Sequence, residues 1–204
     1  MGMKRIAVLA SGRGSNFQAI IDRIEDGNLP AQCAGLVTDN PQAYAITRAK
    51  RAEIPVFVVD YSRYADKGEY EAALLEAMDQ CNADLFILAG YMRILGRGIV
   101  SHFKGRMINI HPALLPSFAG LHAQRQAIDY GVKYSGCTVH FVDEGMDTGP
   151  IIIQRPVPVC DGDDEDSLAV RILIEEHIAL PEAVKFFCEE RLMVCGRAVR
   201  ILPP

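Results

Sequence analysis

Apolar positions change their spacing several times along the chain, and those changes predict its elements. Lys4–Ala10 is an apolar, β-rich run one strand long. In Ser15–Asp26, Phe17, Ile20, Ile21 and Ile24 fall on one helical face, and Gly27 and Pro30 supply the stop. Cys33–Thr38 reads as a second strand, 41–52 as a second helix, Pro55–Val59 as a third strand and Glu69–Asn82 as a third helix. Asp84–Ala89 is almost wholly apolar, as expected of a strand covered on both faces. Arg106–Ile110 is a fifth strand. Strands alternating with helices of about a dozen residues predict a Rossmann-like α/β fold: an open, mostly parallel twisted sheet with right-handed crossovers and helices on both faces.

After residue 115 the pattern changes. Leu121–Tyr130 has helical spacing, while Gly136–Val142 alternates apolar and polar residues and Pro150–Val159 follows a turn. These two runs predict an antiparallel C-terminal extension of the sheet. Asp163–Asp166 is an acidic helix start, and Pro181 is expected to kink or break the helix that follows. Arg191–Val194 and Ala198–Ile201, around Gly196, read as a closing hairpin. No internal repeat or linker is visible, so residues 1–204 read as a single domain.

Composition narrows the class. The 204 residues are 50% hydrophobic and 23% charged, with a formal net charge of −5. That is a globular composition, and its charge does not point to nucleic acid or an anionic membrane. The apolar N-terminal run is too short to span a bilayer and leads into a glycine turn instead of a cleavage site. The six cysteines are scattered without a C-x-x-C pair, which predicts reduced thiols in a cytoplasmic protein and no metal site.

Three segments carry candidate chemistry. Ser11-Gly-Arg-Gly-Ser-Asn16 joins the first strand to the first helix, where glycines permit close approach and a helix N-terminus favours a phosphate. Ser15 and Gln18 also fit a capping box, so a plain capped turn is the competing reading. The loop is neither G-x-G-x-x-G nor a P-loop. Gly90-Tyr-Met-Arg-Ile-Leu95 follows the fourth strand and Asn109-Ile-His-Pro112 ends the fifth. Both therefore lie at carboxyl strand ends, where open sheets bind ligands. Asn109 and His111 share one strand face. The amide can donate to a developing oxyanion and the imidazole can exchange a proton near neutral pH. The loop 143–150 holds Asp143, Glu144 and Asp147. It reads as a solvated hairpin or as the source of a carboxylate that orients His111.

Together these segments resemble the phosphoribosylglycinamide formyltransferase family, folate-dependent transformylases of purine synthesis. The resemblance rests on Ser11–Asn16, Gly90–Leu95, Asn109-Ile-His-Pro-Ala-Leu-Leu-Pro116, Gly120-Leu-His122, Gly136-Cys-Thr-Val-His140 and Asp147-Thr-Gly-Pro150, in order along nearly the whole chain. It implies 10-formyltetrahydrofolate as formyl donor, glycinamide ribonucleotide as acceptor and no metal. By position it implies Asn109, His111 and Asp147 as the catalytic trio, with Gly14, Ser15, Asn16 and Glu176 for the ribonucleotide. Lys67, Met92, Arg93, Ile94, Leu95, Asp143, Glu144, Gly145 and Met146 would serve the folate. Residues 1–110 would be the phosphate-binding half and 111–204 the folate-binding and catalytic half, in a protein that allows a homodimer. The chain departs from the family at Leu173, where a polar ribonucleotide contact is common, and at Lys67, which lacks the planar fork of arginine. It also departs at Ala113 and Ala119. A methionyl-tRNA formyltransferase is expected to add a basic C-terminal domain, and a formyltetrahydrofolate deformylase an N-terminal regulatory domain. A non-catalytic folate or nucleotide sensor on the same fold is the third alternative.

Overall fold

A computed structural model describes residues 2–204. The chain forms two compact units, Met1–Ile108 and Asn109–Pro204.

The first unit runs β1 (Lys4–Leu9), α1 (Ser15–Glu25), β2 (Ala31–Thr38), α2 (Tyr44–Arg51), β3 (Val56–Val58), a 3-10 turn at Tyr61–Arg63, α3 (Lys67–Cys81), β4 (Leu85–Leu88), α4 (Arg97–His102) and the first residues of β5 (Met107–His111). Its strand order is β3-β2-β1-β4, and β1–β2, β1–β4 and β2–β3 all pair in parallel. The alternating strand and helix grammar accounts for this order. The apolar runs of β1 and β4 are buried, and α1 adds Phe17, Ile20 and Ile21 to the same core. Each such side chain contributes roughly 1.5–3 kcal/mol on burial. The chain leaves β1 towards β2 and returns on the other side at β4. The crevice at the carboxyl ends of β1 and β4 is therefore a topological switch point.

Two local expectations need correction here. Ser15 and Gln18 form no capping box. The N-cap is Gly14, with no side-chain cap, and the Gln18 side chain instead donates to Asp22 and accepts from Arg48. Serine occupies the first helical turn because Gly14 already takes the left-handed cap position. Helix α4 was not foreseen: it spans six residues, opens after Gly96 and buries only Ile99 and Val100, too little to show a helical period.

The second unit holds the end of β5, α5 (Ala123–Tyr130), β6 (Tyr134–Phe141), β7 (Ile151–Pro158), α6 (Glu165–Cys188), β8 (Leu192–Cys195) and β9 (Ala198–Ile201). The strands run β6-β7-β9-β8; β6–β7 and β8–β9 are antiparallel and β7–β9 parallel. The chain is thus an α/β protein with mostly parallel strands early and an antiparallel C-terminal extension. Helix α6 packs on β6 and β7. It starts with a capping box in which Asp164 accepts from the Ser167 N–H and Ser167 accepts from the Asp164 N–H. Of the expected kink or break at Pro181, the break does not occur: α6 continues to Cys188. Ala179, Leu180, Pro181, Ala183 and Val184 are all buried, so core packing on both sides of the proline offsets the lost backbone bond.

Among the described residues no cysteine forms a disulfide, and burial pushes the thiols of Cys33 and Cys137 up to about 12 and that of Cys81 to about 11. No helix among them is long and apolar enough to cross a membrane, and no group of three or more histidines, cysteines and carboxylates is placed to hold a metal ion.

Candidate active site

In the first unit the loops at the ends of β1, β2 and β4 are tied to one another. The Ser11 N–H donates to the Gly90 carbonyl and the Met92 N–H to the Ser11 hydroxyl, at 3.1 and 2.9 Å. Asn40 donates to the Ser11 carbonyl at 3.0 Å. Gly14 sits at φ +65°, and a Cβ there would lie 2.8 Å from the Cβ of Ala45, so both conformation and space require glycine. The Ala45 N–H and the Arg48 guanidinium hold the carbonyls of Gly12 and Arg13 from the α2 side. Helix α1 therefore begins without a side-chain cap and with no acid in its first turn, whereas α3 and α6 are capped by Asp66 and Asp164. An α-helix start leaves N–H donors and a positive dipole end, and here no carboxylate of the helix competes for them. Asn16 is buried and Ser15 half-buried beside this end.

The expected folate residues of this unit differ in setting. Met92 and Ile94 are exposed, each at 69%. Arg93 lies over the Tyr61 ring and pairs with Asp39, and Leu95 is half-buried. Lys67 is exposed at the start of α3 and pairs with Glu71 at 3.4 Å.

In the second unit Asn109, His111 and Asp147 come together. Asp147 sits at φ +54° after the loop that leaves β6. Its Oδ2 lies 3.4 Å from His111 Nδ1 and accepts from the Gly120 N–H at 2.9 Å. Its Oδ1 accepts from Asn109 Nδ2 at 3.4 Å. Gly149 closes the loop, because a Cβ there would meet the Phe141 carbonyl at 1.7 Å. Asp143 Oδ1 braces the same loop by accepting from the Gly145 N–H and the Thr148 hydroxyl. Glu144, Gly145 and Met146 form its exposed tip.

His111 is 4% exposed. Its Nε2 donates to the Phe118 carbonyl at 2.8 Å, while Nδ1 faces the Asp147 carboxylate. A neutral ring can serve only one of these two acceptors; an imidazolium serves both. Burial acts to raise the Asp147 pKa, but the facing His140 and His111 rings, in their protonated forms, and the Gly120 N–H outweigh it and hold the carboxyl below its usual value.

His140 is a site residue that the sequence reading did not single out. The Phe141 carbonyl can only accept, so His140 Nδ1 donates to it at 2.8 Å, and Nε2 then accepts from Asn109 Nδ2 at 3.2 Å. The two Asn109 hydrogens thus have named acceptors, His140 and Asp147, which fixes the amide orientation. Thr138, two residues earlier, was missed as well. It donates to the Ala113 carbonyl at 2.6 Å and accepts from the Leu115 N–H and from Gln154. That anchors the segment following His111. Glu176 is 7% exposed on α6.

A buried imidazole facing a carboxylate, beside an oriented amide, can exchange a proton and donate to a developing oxyanion. Residues 4–184 match the formyl transferase family. The chain belongs to that family. Phosphoribosylglycinamide formyltransferase of Bacillus subtilis is 45% identical over 183 residues, which cover 90% of this chain and 94% of that protein. The trifunctional purine biosynthetic protein adenosine-3 of Drosophila melanogaster is 46% identical over 89% of the chain, which spans about 14% of that longer protein. The crystal structure of glycinamide ribonucleotide transformylase 1 from Symbiobacterium toebii superposes with a TM-score of 0.96 at 48% identity. The match covers 98% of this chain and 95% of that one. The family resemblance read from the sequence is borne out, and this formyl transferase groups with the phosphoribosylglycinamide formyltransferases.

Proposed function

We propose that this formyl transferase moves the formyl group of 10-formyltetrahydrofolate directly onto the amine of glycinamide ribonucleotide, giving formylglycinamide ribonucleotide and tetrahydrofolate. The observation that carries the reading is the convergence of Asn109, His111 and Asp147, with the carboxylate on one side of the ring and the amide oriented beside it.

The neutral amine attacks the formyl carbon and the carbonyl oxygen becomes an oxyanion. The Asn109 amide and the protonated His111 ring stabilise it. Asp147 favours the charged ring and holds its orientation, and it helps relay the proton lost by the amine to the departing folate nitrogen. No covalent enzyme intermediate is needed. The Phe118 carbonyl accepts from His111 Nε2, so this N–H must turn from that carbonyl to serve an oxyanion. His140 sets Asn109 from behind.

Gly14, Ser15 and Asn16 serve the ribonucleotide phosphate, a reading supported by the uncapped start of α1. Glu176 contacts the rest of the ribonucleotide. Lys67, Met92, Arg93, Ile94, Leu95 and Asp143–Met146 serve the folate. The protein acts as one cytoplasmic domain on small molecules, without metal, nucleic acid or membrane. The test is absorbance of the folate product with and without glycinamide ribonucleotide. Product only with the ribonucleotide supports the transferase; formate release without it identifies a deformylase; folate binding without turnover identifies a sensor.

A further inference from the structure

A cavity of about 350 Å³ opens in the first unit, lined by Asp39, Asn40, Asp60, Tyr61 and Arg93 among others. Asp39 is its buried member, 8% exposed. Its Oδ2 accepts from Arg93 Nε at 2.7 Å, and its Oδ1 is buried with no hydrogen-bond partner. The Arg93 guanidinium carbon stands 3.7 Å above the centroid of the Tyr61 ring. Tyr61 meets the edge of Tyr70 at 4.9 Å, and the Tyr70 hydroxyl bonds that of Tyr91. Burying a half-satisfied carboxylate costs stability, and packing alone does not require one at the end of β2.

The arrangement constrains one side chain on two sides. A guanidinium carries five N–H donors in a rigid plane. Asp39 holds the Nε edge and Tyr61 covers one face, so the plane is set. The outer edge, with Nη1 and Nη2, makes no hydrogen bond to the protein among the described residues. That edge has the geometry of a two-pronged donor for a carboxylate. Lys67 has no such planar fork and lies exposed beside Glu71.

We infer that Asp39 is a positioning residue that, with Tyr61, presets the Arg93 fork for the tail carboxylate of the formyl donor. The inference rests on the folate reading above, because folates end in a glutamate. Asp39 exerts two opposed effects. It orders a rotamer-rich side chain, which favours binding by roughly two- to twelvefold. Its charge also repels a ligand carboxylate across the width of the guanidinium, which in a solvated cavity weakens binding by only about threefold. Ordering is the larger effect over most of that range, and the two separate by substitution. Asp39→Ala removes both, whereas Asp39→Asn removes the charge and keeps an acceptor for Nε.

The experiment is steady-state kinetics and calorimetric binding with two donors, 10-formyltetrahydrofolate and its pteroate analogue lacking the glutamate. Asp39→Ala raises the KM and Kd for the full donor by about two- to fourfold, the ordering gain divided by the repulsion it also removes, with kcat and the ribonucleotide KM within about twofold. Asp39→Asn leaves the KM at or below the parental value. With the truncated donor the effect of Asp39→Ala disappears. Tyr61→Leu, at an exposed turn, raises the KM for the full donor only and carries the test if Asp39→Ala fails to fold. An equal rise for both donors, no rise, or a fall in Asp39→Ala overturns the inference. Parental protein that binds both donors but transfers no formyl group refutes the functional reading instead, and the calorimetric comparison still decides the role of Asp39.

Discussion

Replacing Asp147 by asparagine preserves shape and removes charge, so it isolates what the carboxylate does. The carboxylate serves four groups: Oδ2 faces His111 Nδ1 at 3.4 Å and the Gly120 N–H at 2.9 Å, while Oδ1 faces Asn109 Nδ2 at 3.4 Å and His140 Nε2 at 3.7 Å. An amide has one acceptor oxygen. With its oxygen towards His111 and Gly120, its own NH2 meets the Asn109 NH2; flipped, it meets the Gly120 N–H. Either way donor faces donor, and the ring loses its anionic partner. A hydrogen bond to a charged group is worth about 1.5–3 kcal/mol. Losing the ring contact and disturbing the amide together raise the barrier by about 3–5 kcal/mol, which lowers kcat on the order of 10²- to 10⁴-fold. Stopped-flow absorbance of folate release, with both substrates varied, reads this directly. Both KM values should stay within about threefold of parental, because the loss falls on the transition state. A kcat within about threefold of parental, or an unchanged kcat with a raised KM, would refute the proton-relay role.

Two further predictions test other parts of the account. The Asp147 carboxyl is held below its usual 3.8 in the folded protein, so its contribution to stability is present above that value and is lost as pH falls through the depressed folded value. Thermal melting of parental protein and Asp147→Asn should therefore converge on acidification below the carboxylate range, and curves that stay parallel there would count against the interaction. Gly14→Ala places a Cβ at φ +65° and 2.8 Å from Ala45. It should cost about 1–3 kcal/mol in denaturant unfolding and weaken ribonucleotide binding more than folate binding; equal loss for both ligands would argue against a phosphate role for the loop.

The parallel order of the first unit was legible because its strands are apolar runs and its helices carry a 3.6-residue face. The placement of Asn109 and His111 on one strand face was legible for the same reason, since alternation needs no tertiary contact. Other features depend on contacts across the fold. The cap of α1 passed to Gly14, where φ is +65° and a Cβ would run into Ala45, which no local spacing reports. Pro181 stands inside α6 because core burial outweighs a local rule. The alternation of β6 predicted a polar face, yet Ser135–Phe141 are all buried. Thr138 and His140 tolerate this because the segment after β5 and the Asn109 amide supply their partners. The approach of Asp147 to His111 came from the family resemblance; the thirty-five residues between them hide it from any spacing argument.

The central claim is that the second unit's trio performs direct formyl transfer. Its most direct test is single-turnover transfer of a labelled formyl group by parental protein and His111→Ala, both saturated with donor and ribonucleotide. The account predicts label passing from folate to ribonucleotide with no protein-bound formyl group, and in His111→Ala a transfer rate lower by about 10²-fold or more with donor binding retained. Near-parental transfer by His111→Ala, or label trapped on the protein, would contradict it.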